Sequence, residues 1–279
     1  MKPKLKDLHP LLRLPAIALL VGLLAVSSVT VHAAEAVAFP ETFMIRLASY
    51  SVQDADTDIA VFSSSGVGAG FSFASDLGGD ESATIPRIDA YYRFSERHRI
   101  DFSTFSFERD GRQLLEIEIE LEDQTYSVGE TVVSDINFDL FKIAYGYTFY
   151  HSSQVEIGVT AGLSITSYDF DYERDDGAKA ESSDVTAPLP MFGLRVSYAI
   201  NPRWSVHYLT ESFYIEVGDE LSGAFTTNEL DIRYRLNNSF VLGAGLTRFS
   251  TDFEADDDDW KGRIADSHRG LLFYLGYSL

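Results

Sequence analysis

The chain has 279 residues, a net charge of −21 and no cysteine; 45% of its residues are hydrophobic and 13% aromatic. That acidity argues against nucleic acid or an anionic lipid surface as partner, and the apolar and aromatic content argues against disorder. Without cysteine there is neither a disulfide nor a lipoprotein acylation site.

The N-terminus reads as an export leader. Lys2, Lys4, Lys6 and Arg13 form a basic region around the start of the apolar run Leu14–Val26, which is short for a membrane span. Val31-His32-Ala33 offers small or tolerated residues for cleavage after Ala33. The expectation is a signal peptide over 1–33, a flexible periplasmic start over 34–40 and a barrel domain over 41–279. Loss of four leader bases and Asp7 takes the mature charge to −24. No later run reaches the ~18 apolar residues of a helical span. A mature chain in a membrane would therefore be a closed barrel, the other architecture that satisfies every backbone group in lipid.

Downstream the hydrophobic period is two. Thr42–Val52 reads as strand one, Gln53–Asp58 as a polar turn, and Ile59–Phe62 with Gly66–Ala74 as a weak second hairpin, diluted by glycine. Ile85–Phe94 is clear: Ile88, Ala90, Tyr92 and Phe94 share one face, and Arg87, Asp89, Tyr91 and Arg93 the other. In Arg99–Arg109, Ile100 and Phe102 face outward, then parity blurs at Ser103–Phe107, which predicts a bulge or emergence from the bilayer. Leu114–Leu121 sets Ile117, Ile119 and Leu121 against Glu116, Glu118, Glu120 and the following Glu122, and reads as a strand above the membrane, paired with Val132–Phe138. Phe141, Ile143, Tyr145, Tyr147 and Phe149 then oppose Lys142, Ala144, Gly146 and Thr148. Val155–Thr166 alternates as well, with Glu156 inward, and Tyr168–Ser183 reads as a long charged loop. Val185–Ile200, Trp204–Val217, Ala224–Leu236 and Phe240–Phe253 follow as strands, with Glu254–Ser267 as the last loop.

The connections alternate in length. Ser95–His98, His151–Gln154, Asn201–Arg203 and Asn237-Asn238 are short, and those between them are longer and more acidic. Short periplasmic turns and long extracellular loops are the membrane-barrel pattern. The predicted fold is all-β: a transmembrane up-and-down antiparallel β-barrel. It has twelve strands if Ile59–Ala74 contributes a hairpin, which is the expectation, and ten if it does not. A soluble barrel would also alternate. It would not need aromatics near strand ends, such as Phe94, Phe149, Trp204, Tyr234 and Tyr277.

The terminal stretch Gly270–Leu279 carries the sharpest pattern. Leu271, Phe273, Leu275, Tyr277 and Leu279 make an apolar face, and Gly270, Leu272, Tyr274, Gly276 and Ser278 a mostly small or weakly polar one. Exposed in water it would be an unprotected edge; in lipid it would close a barrel against strand one. An aromatic-rich last strand with a glycine and a hydrophobic final residue resembles the assembly signal of Gram-negative outer-membrane barrels, with Leu279 where Phe is commoner. Arg87–Asp110 and Ala74–Gly79 resemble small proteobacterial outer-membrane proteins of the outer-membrane-protein-W and outer-membrane-protein-A type. The resemblance implies a fold and an outer-membrane location, with lipids, lipopolysaccharide and the barrel-assembly machinery as partners. It brings no catalytic residues.

Three groups of residues could carry chemistry. Arg87, Asp89, Arg93, Asp101, Lys142, Glu156, Arg195, His207, Glu211, Asp231, Arg233 and Arg235 are read as lumen-facing, either selecting solutes or forming a structural ion-pair network. Arg233 and Arg235 beside Asp231 are the leading candidates for an internal cluster. Asp54, Asp56 and Asp58, and Asp252, Glu254 and Asp256–Asp259, are hard oxygen donors without the spacing of a calcium loop. His151-Ser152-Ser153 superficially invites a hydrolase reading, with no surrounding motif. The expected function is a monomeric, non-enzymatic narrow channel or structural surface barrel without cofactor or metal. The alternatives are a lipid-modifying hydrolase and an adhesion or receptor surface built from the acidic loops.

Overall fold

In a computed structural model, the described residues are 39, 41–62, 68–115, 119–121, 124–177, 180–218, 221–256 and 261–279. The chain divides into Met1–Glu35, which lies outside the described residues together with the predicted leader and most of the predicted 34–40 start, and Ala36–Leu279.

Among the described residues thirteen strands run in order: β1 (Phe43–Phe62), β2 (Gly68–Ser72), β3 (Ala83–Arg93), β4 (His98–Leu114), β5 (Ile119–Leu121), β6 (Gln124–Tyr126), β7 (Thr131–His151), β8 (Val155–Arg174), β9 (Ala180–Ala199), β10 (Trp204–Val217), β11 (Leu221–Arg235), β12 (Phe240–Asp256) and β13 (Lys261–Ser278). Ten of them form one antiparallel cycle, β1-β3-β4-β7-β8-β9-β10-β11-β12-β13, closed by β13 on β1. The closing register runs from Met44 opposite Ser278 to Val52 opposite Gly270, steps over a bulge at Gln53, and resumes from Asp54 opposite Arg269 to Val61 opposite Gly262. Full closure removes the edge that the apolar terminal strand would otherwise present.

The barrel thus has ten strands, the alternative count, and not the expected twelve. Gln53–Asp58 is no turn, because β1 continues through it with a bulge. The lower half of β1 pairs with β3 and its upper half with β2, so β2 stands above β3 and adds no circuit to the cylinder. Two predicted loops are also strand. β8 and β9 pair continuously from Val155–Tyr198 to Glu173–Ala180, and β12 and β13 from Phe240–Tyr277 to Asp256–Lys261. Their charges and aromatics alternate, as a strand requires. No bulge interrupts β4, which pairs with β7 in unbroken register from His98–Tyr147 to Leu114–Thr131. β5 and β6 make a separate small hairpin, so the predicted glutamate strand is not a continuation of β4.

The termini of the barrel and its tight turns share one end: Thr42 N donates to Leu279 O at 2.7 Å, and Arg93 N to Thr42 O at 2.7 Å. We call this the lower end. Strands of 20 residues, such as β1 and β8, rise roughly 50 Å at ~3.4 Å per residue and a ~40° tilt. That is about twice the ~25 Å apolar band of an outer-membrane barrel.

The two halves differ in which face is apolar. Below, large apolar residues point outward: Leu47 is 60% exposed and Phe273 53%, as are, to a similar degree, Ile143, Phe192, Leu242 and Leu275. Aromatics ring the lower rim, with Trp204 on Tyr234 at 4.7 Å and Phe240 on Tyr277 at 5.5 Å. Above, the same strands turn apolar residues inward, on β1 across the bulge at Gln53 and on β4 and β8 with the alternation unbroken. On β8, Tyr168, Phe170 and Tyr172 are buried, and Ser167, Asp169, Asp171 and Glu173 occupy the other face. β4 inverts at Ser103–Phe107, which is why parity blurs there.

Because β3 stops at Ala83, the upper wall between β1 and β4 is completed by residues 73–82. Phe73 and Leu77 of this segment are fully buried, and Gly79 bridges Gly111 of β4. Arg109, 2% exposed, locks it. Its Nε donates to Asp80 O at 2.7 Å, Nη1 to Thr57 Oγ1 at 2.6 Å and Nη2 to Ala55 O at 3.1 Å, and the guanidinium sits 4.8 Å from the Phe73 ring centre. Arg109→Ala would strand two buried acceptors, Thr57 Oγ1 and Ala55 O, release Asp80 O and leave a cavity, so we expect a loss of about 3 kcal/mol. Urea unfolding of the refolded protein measures the loss, and faster amide exchange should concentrate in residues 73–82.

Candidate functional site in the barrel interior

The inward parity of each strand fills the lumen with two layers of different chemistry. The lower layer is ionic. Arg46 from β1 places Nη2 3.1 Å from Asp89 Oδ2 and Nη1 3.1 Å from Glu229 Oε1. Arg87 Nη2 lies 2.8 Å from both Asp89 Oδ1 and Glu229 Oε2. Ser103 Oγ donates to Asp89 at 2.7 Å. Arg233 Nε donates to Asp231 Oδ1 at 2.8 Å, and the Tyr274 hydroxyl donates to the same carboxylate. The Tyr274 ring needs the bare backbone of Gly243, where a Cβ would collide with it.

A second set stands beside the first. Arg93 grips Glu156 with Nη1 at 3.0 Å and Nη2 at 3.2 Å. Arg99 pairs with Asp101, and Lys142 Nζ donates to Glu211 Oε2 at 2.6 Å. Arg195 reaches Glu156 only at 3.5 Å and Asp101 at 3.6 Å. His207 is held by Ser205 at 2.8 Å and Ser197 at 2.9 Å. Phe39 sets its ring edge-on against His151 and His207 at 6.4 and 6.1 Å. Together these side chains line a vestibule open at the lower end.

The residues predicted to face the lumen all lie inside. Arg233 meets Asp231 as expected, but Arg235 pairs with Glu41 at the lower mouth instead. Sequence reading missed Arg46, Arg99 and Glu229, although Glu229 shares the parity of Asp231 and Arg233. Along the closing strand, Phe273, Leu275, Tyr277 and Leu279 point outward, Gly270 and Tyr274 inward.

The upper layer is aromatic. Phe138 of β7 packs on Phe105 and Phe107 of β4 at 5.7 Å each, Tyr168 of β8 at 5.0 Å, Phe249 of β12 at 5.6 Å and His268 of β13 at 5.7 Å. β7 and β12 stand opposite each other in the ten-strand cycle, so these rings meet across the full lumen. His268 sits inside β13, stacked on Phe249 at 4.5 Å with Nδ1 3.4 Å from Asp266 Oδ2. Thr57 Oγ1 donates to Asp266 at 2.8 Å.

The remaining candidates lie elsewhere. Asp54, Asp56 and Asp58 are on strand β1, not in a loop, and Asp54 pairs with Arg269 at 2.5 Å. Asp252 accepts from Arg263 at 2.7 and 2.6 Å, and Asp257–Asp259 lie outside the described residues. Ser152 is committed to its turn, its Oγ accepting from Val155 N at 3.0 Å, while His151 faces Glu156 at 3.5 Å. On the upper outer wall the carboxylates of Glu108, Asp110 and Asp135 lie within 4.8 Å of one another.

No family model and no curated relative matches the sequence. Among solved structures, the outer membrane protease OmpT of Escherichia coli superposes with a TM-score of 0.54 at 9% identity, covering 88% of this chain and 99% of its own. The outer membrane protein OprG of Pseudomonas aeruginosa gives 0.37 at 10% identity over 86% and 96%. The Pseudomonas putida toluene transporter TodX gives 0.34 at 12% identity over 86% and 90%. The chain therefore has the fold of an outer-membrane β-barrel.

The outer carboxylate cluster makes a pH prediction. Partial burial, a hydrogen bond with Asp110 and repulsion from Glu108, Asp110 and Asp171 push Asp135 up from 3.8 to about 7. The folded state then binds the proton more tightly than the unfolded state, so this group's contribution falls as pH rises between those values and is gone above the folded one. Urea unfolding across that range should show the wild type losing stability relative to Asp135→Asn; parallel curves would contradict the shared proton.

Proposed function

We propose that this protein is a monomeric, non-enzymatic barrel of the outer membrane whose lumen is closed, so that it serves as a structural surface barrel and not as an open pore. Phe138 supports this reading most directly, because its ring meets Phe249 from the opposite wall at 5.6 Å. The lower apolar belt is the part suited to the bilayer, with the tight turns toward the periplasm. The half above it would stand beyond the lipid, beside lipopolysaccharide. β13 is the segment suited to recognition by the assembly machinery before closure.

The long outer wall also favours a secondary role as a recognition surface, since Asp56, Asp58, Glu108, Asp110, Asp169, Asp171 and Glu173 face out from it. The hydrolase alternative has no nucleophile–base contact between Ser152 and His151 among the described residues.

Planar-bilayer recording of refolded, demonstrably inserted protein tests the closed lumen. Wild type should give no discrete conductance steps, and Phe138→Ala combined with Phe249→Ala should introduce them. Regular wild-type steps would sink the closed-barrel reading in favour of a channel.

A further inference from the structure

We infer that the vestibule holds a binding site for a small, water-soluble oxyanion of the phosphate type, centred on Arg195 with Arg99 and Arg93 beside it. Charge bookkeeping within the ionic layer points there. On one side Arg46, Arg87 and Arg233 are matched by Asp89, Glu229 and Asp231. On the other, Arg93, Arg99, Lys142 and Arg195 share, among the described residues, Glu156, Asp101 and Glu211. Those three carboxylates make their short contacts to the first three cations, and Arg195 is the surplus one.

Its donors are correspondingly unspent. Arg195 is 5% exposed. Among the described residues its Nη2 has only long bonds, 3.4 Å to Thr148 Oγ1 and 3.5 Å to Glu156 Oε1, and its Nε and Nη1 have no hydrogen-bond partner. Arg93 Nε is unbonded as well. A buried guanidinium with two idle nitrogens, three N–H groups in all, is costly unless something accepts from them. A tetrahedral oxyanion supplies several acceptors and the missing charge, and arginine's fork suits it.

Glycine makes room for the Arg195 guanidinium itself, which lies against bare backbone in the vestibule wall. A Cβ on Gly146 would lie 2.9 Å from Arg195 Nη1 and 3.0 Å from Arg99 Cγ, and one on Gly158 would lie 3.2 Å from Arg195 Nη2. The described lining of the vestibule carries nine Arg and Lys against seven Asp and Glu, a cationic interior in a chain of net charge −21. The barrel wall separates Arg195 from lipid, so the ligand must arrive through the lower mouth in water. A conducting lumen would leave the site in place, so it stands or falls apart from the closed-barrel reading.

The test is calorimetric titration of the refolded full chain with inorganic phosphate, in a phosphate-free neutral detergent at ionic strength fixed with chloride. One saturable site per barrel is expected. Arg195→Gln removes the surplus charge, so it should refold, and it should weaken binding roughly tenfold or more. No saturable binding by wild type, or unchanged affinity in the folded variant, would overturn the proposal. Should Arg195→Gln not refold, selenate-soaked wild-type crystals decide. An anomalous peak between Arg195 and Arg99 supports the site, and a vestibule without one refutes it.

Discussion

A β-strand longer than a bilayer is thick meets two solvents. In lipid its outer face must be apolar, and in water above the lipid that face must be polar. The period of two holds apart from single bulges such as Gln53, so the inner face takes the complementary chemistry in each zone. The two layers of this barrel fit that constraint: an ionic interior behind the apolar lower belt, and an aromatic interior behind the charged upper wall.

The aromatic layer gives the upper half a core like that of a water-soluble barrel. Ring pairs contribute ~0.5–1.5 kcal/mol each beyond the area they bury, and Phe138 alone makes five within 5.7 Å. The ionic layer works differently. Buried ion pairs recover little net stability after desolvation, but losing one partner is costly. Arg46, Arg87 and Glu229 join strands that are distant in the cycle and so define how the lower cylinder closes on itself. Where β3 is too short to complete the wall, Arg109 converts residues 73–82 into a substitute for a strand.

The architecture was legible where the outer face is apolar. Phe273, Leu275 and Tyr277 against Tyr274 and Gly276 announce both the strand and its closure, and Arg87, Asp89 and Arg93 announce the ionic lumen. It became illegible where the phase inverts. Tyr168, Phe170 and Tyr172 alternate with Asp169, Asp171 and Glu173 as cleanly as any membrane segment, yet charge density made the stretch resemble a loop. The same inversion made Ser103–Phe107 look like a bulge. The strand count failed for a different reason: Gln53 is a bulge in a continuing β1, and one extra residue among polar neighbours reads as a turn. The partners of Arg109 are largely backbone atoms of a distant segment, and no spacing encodes those.

The inversion can be measured along a single strand. With Trp204 and Trp260 replaced by Phe, single tryptophans at Val159, Leu163, Asp169 and Asp171 of β8 report contact with lipid through quenching by brominated acyl chains. The four positions share the outward face. Strong quenching at Val159 and Leu163, with none at Asp169 and Asp171, is the predicted result. Equal quenching along all four would place the upper half in the bilayer and contradict a closed aromatic core standing above it.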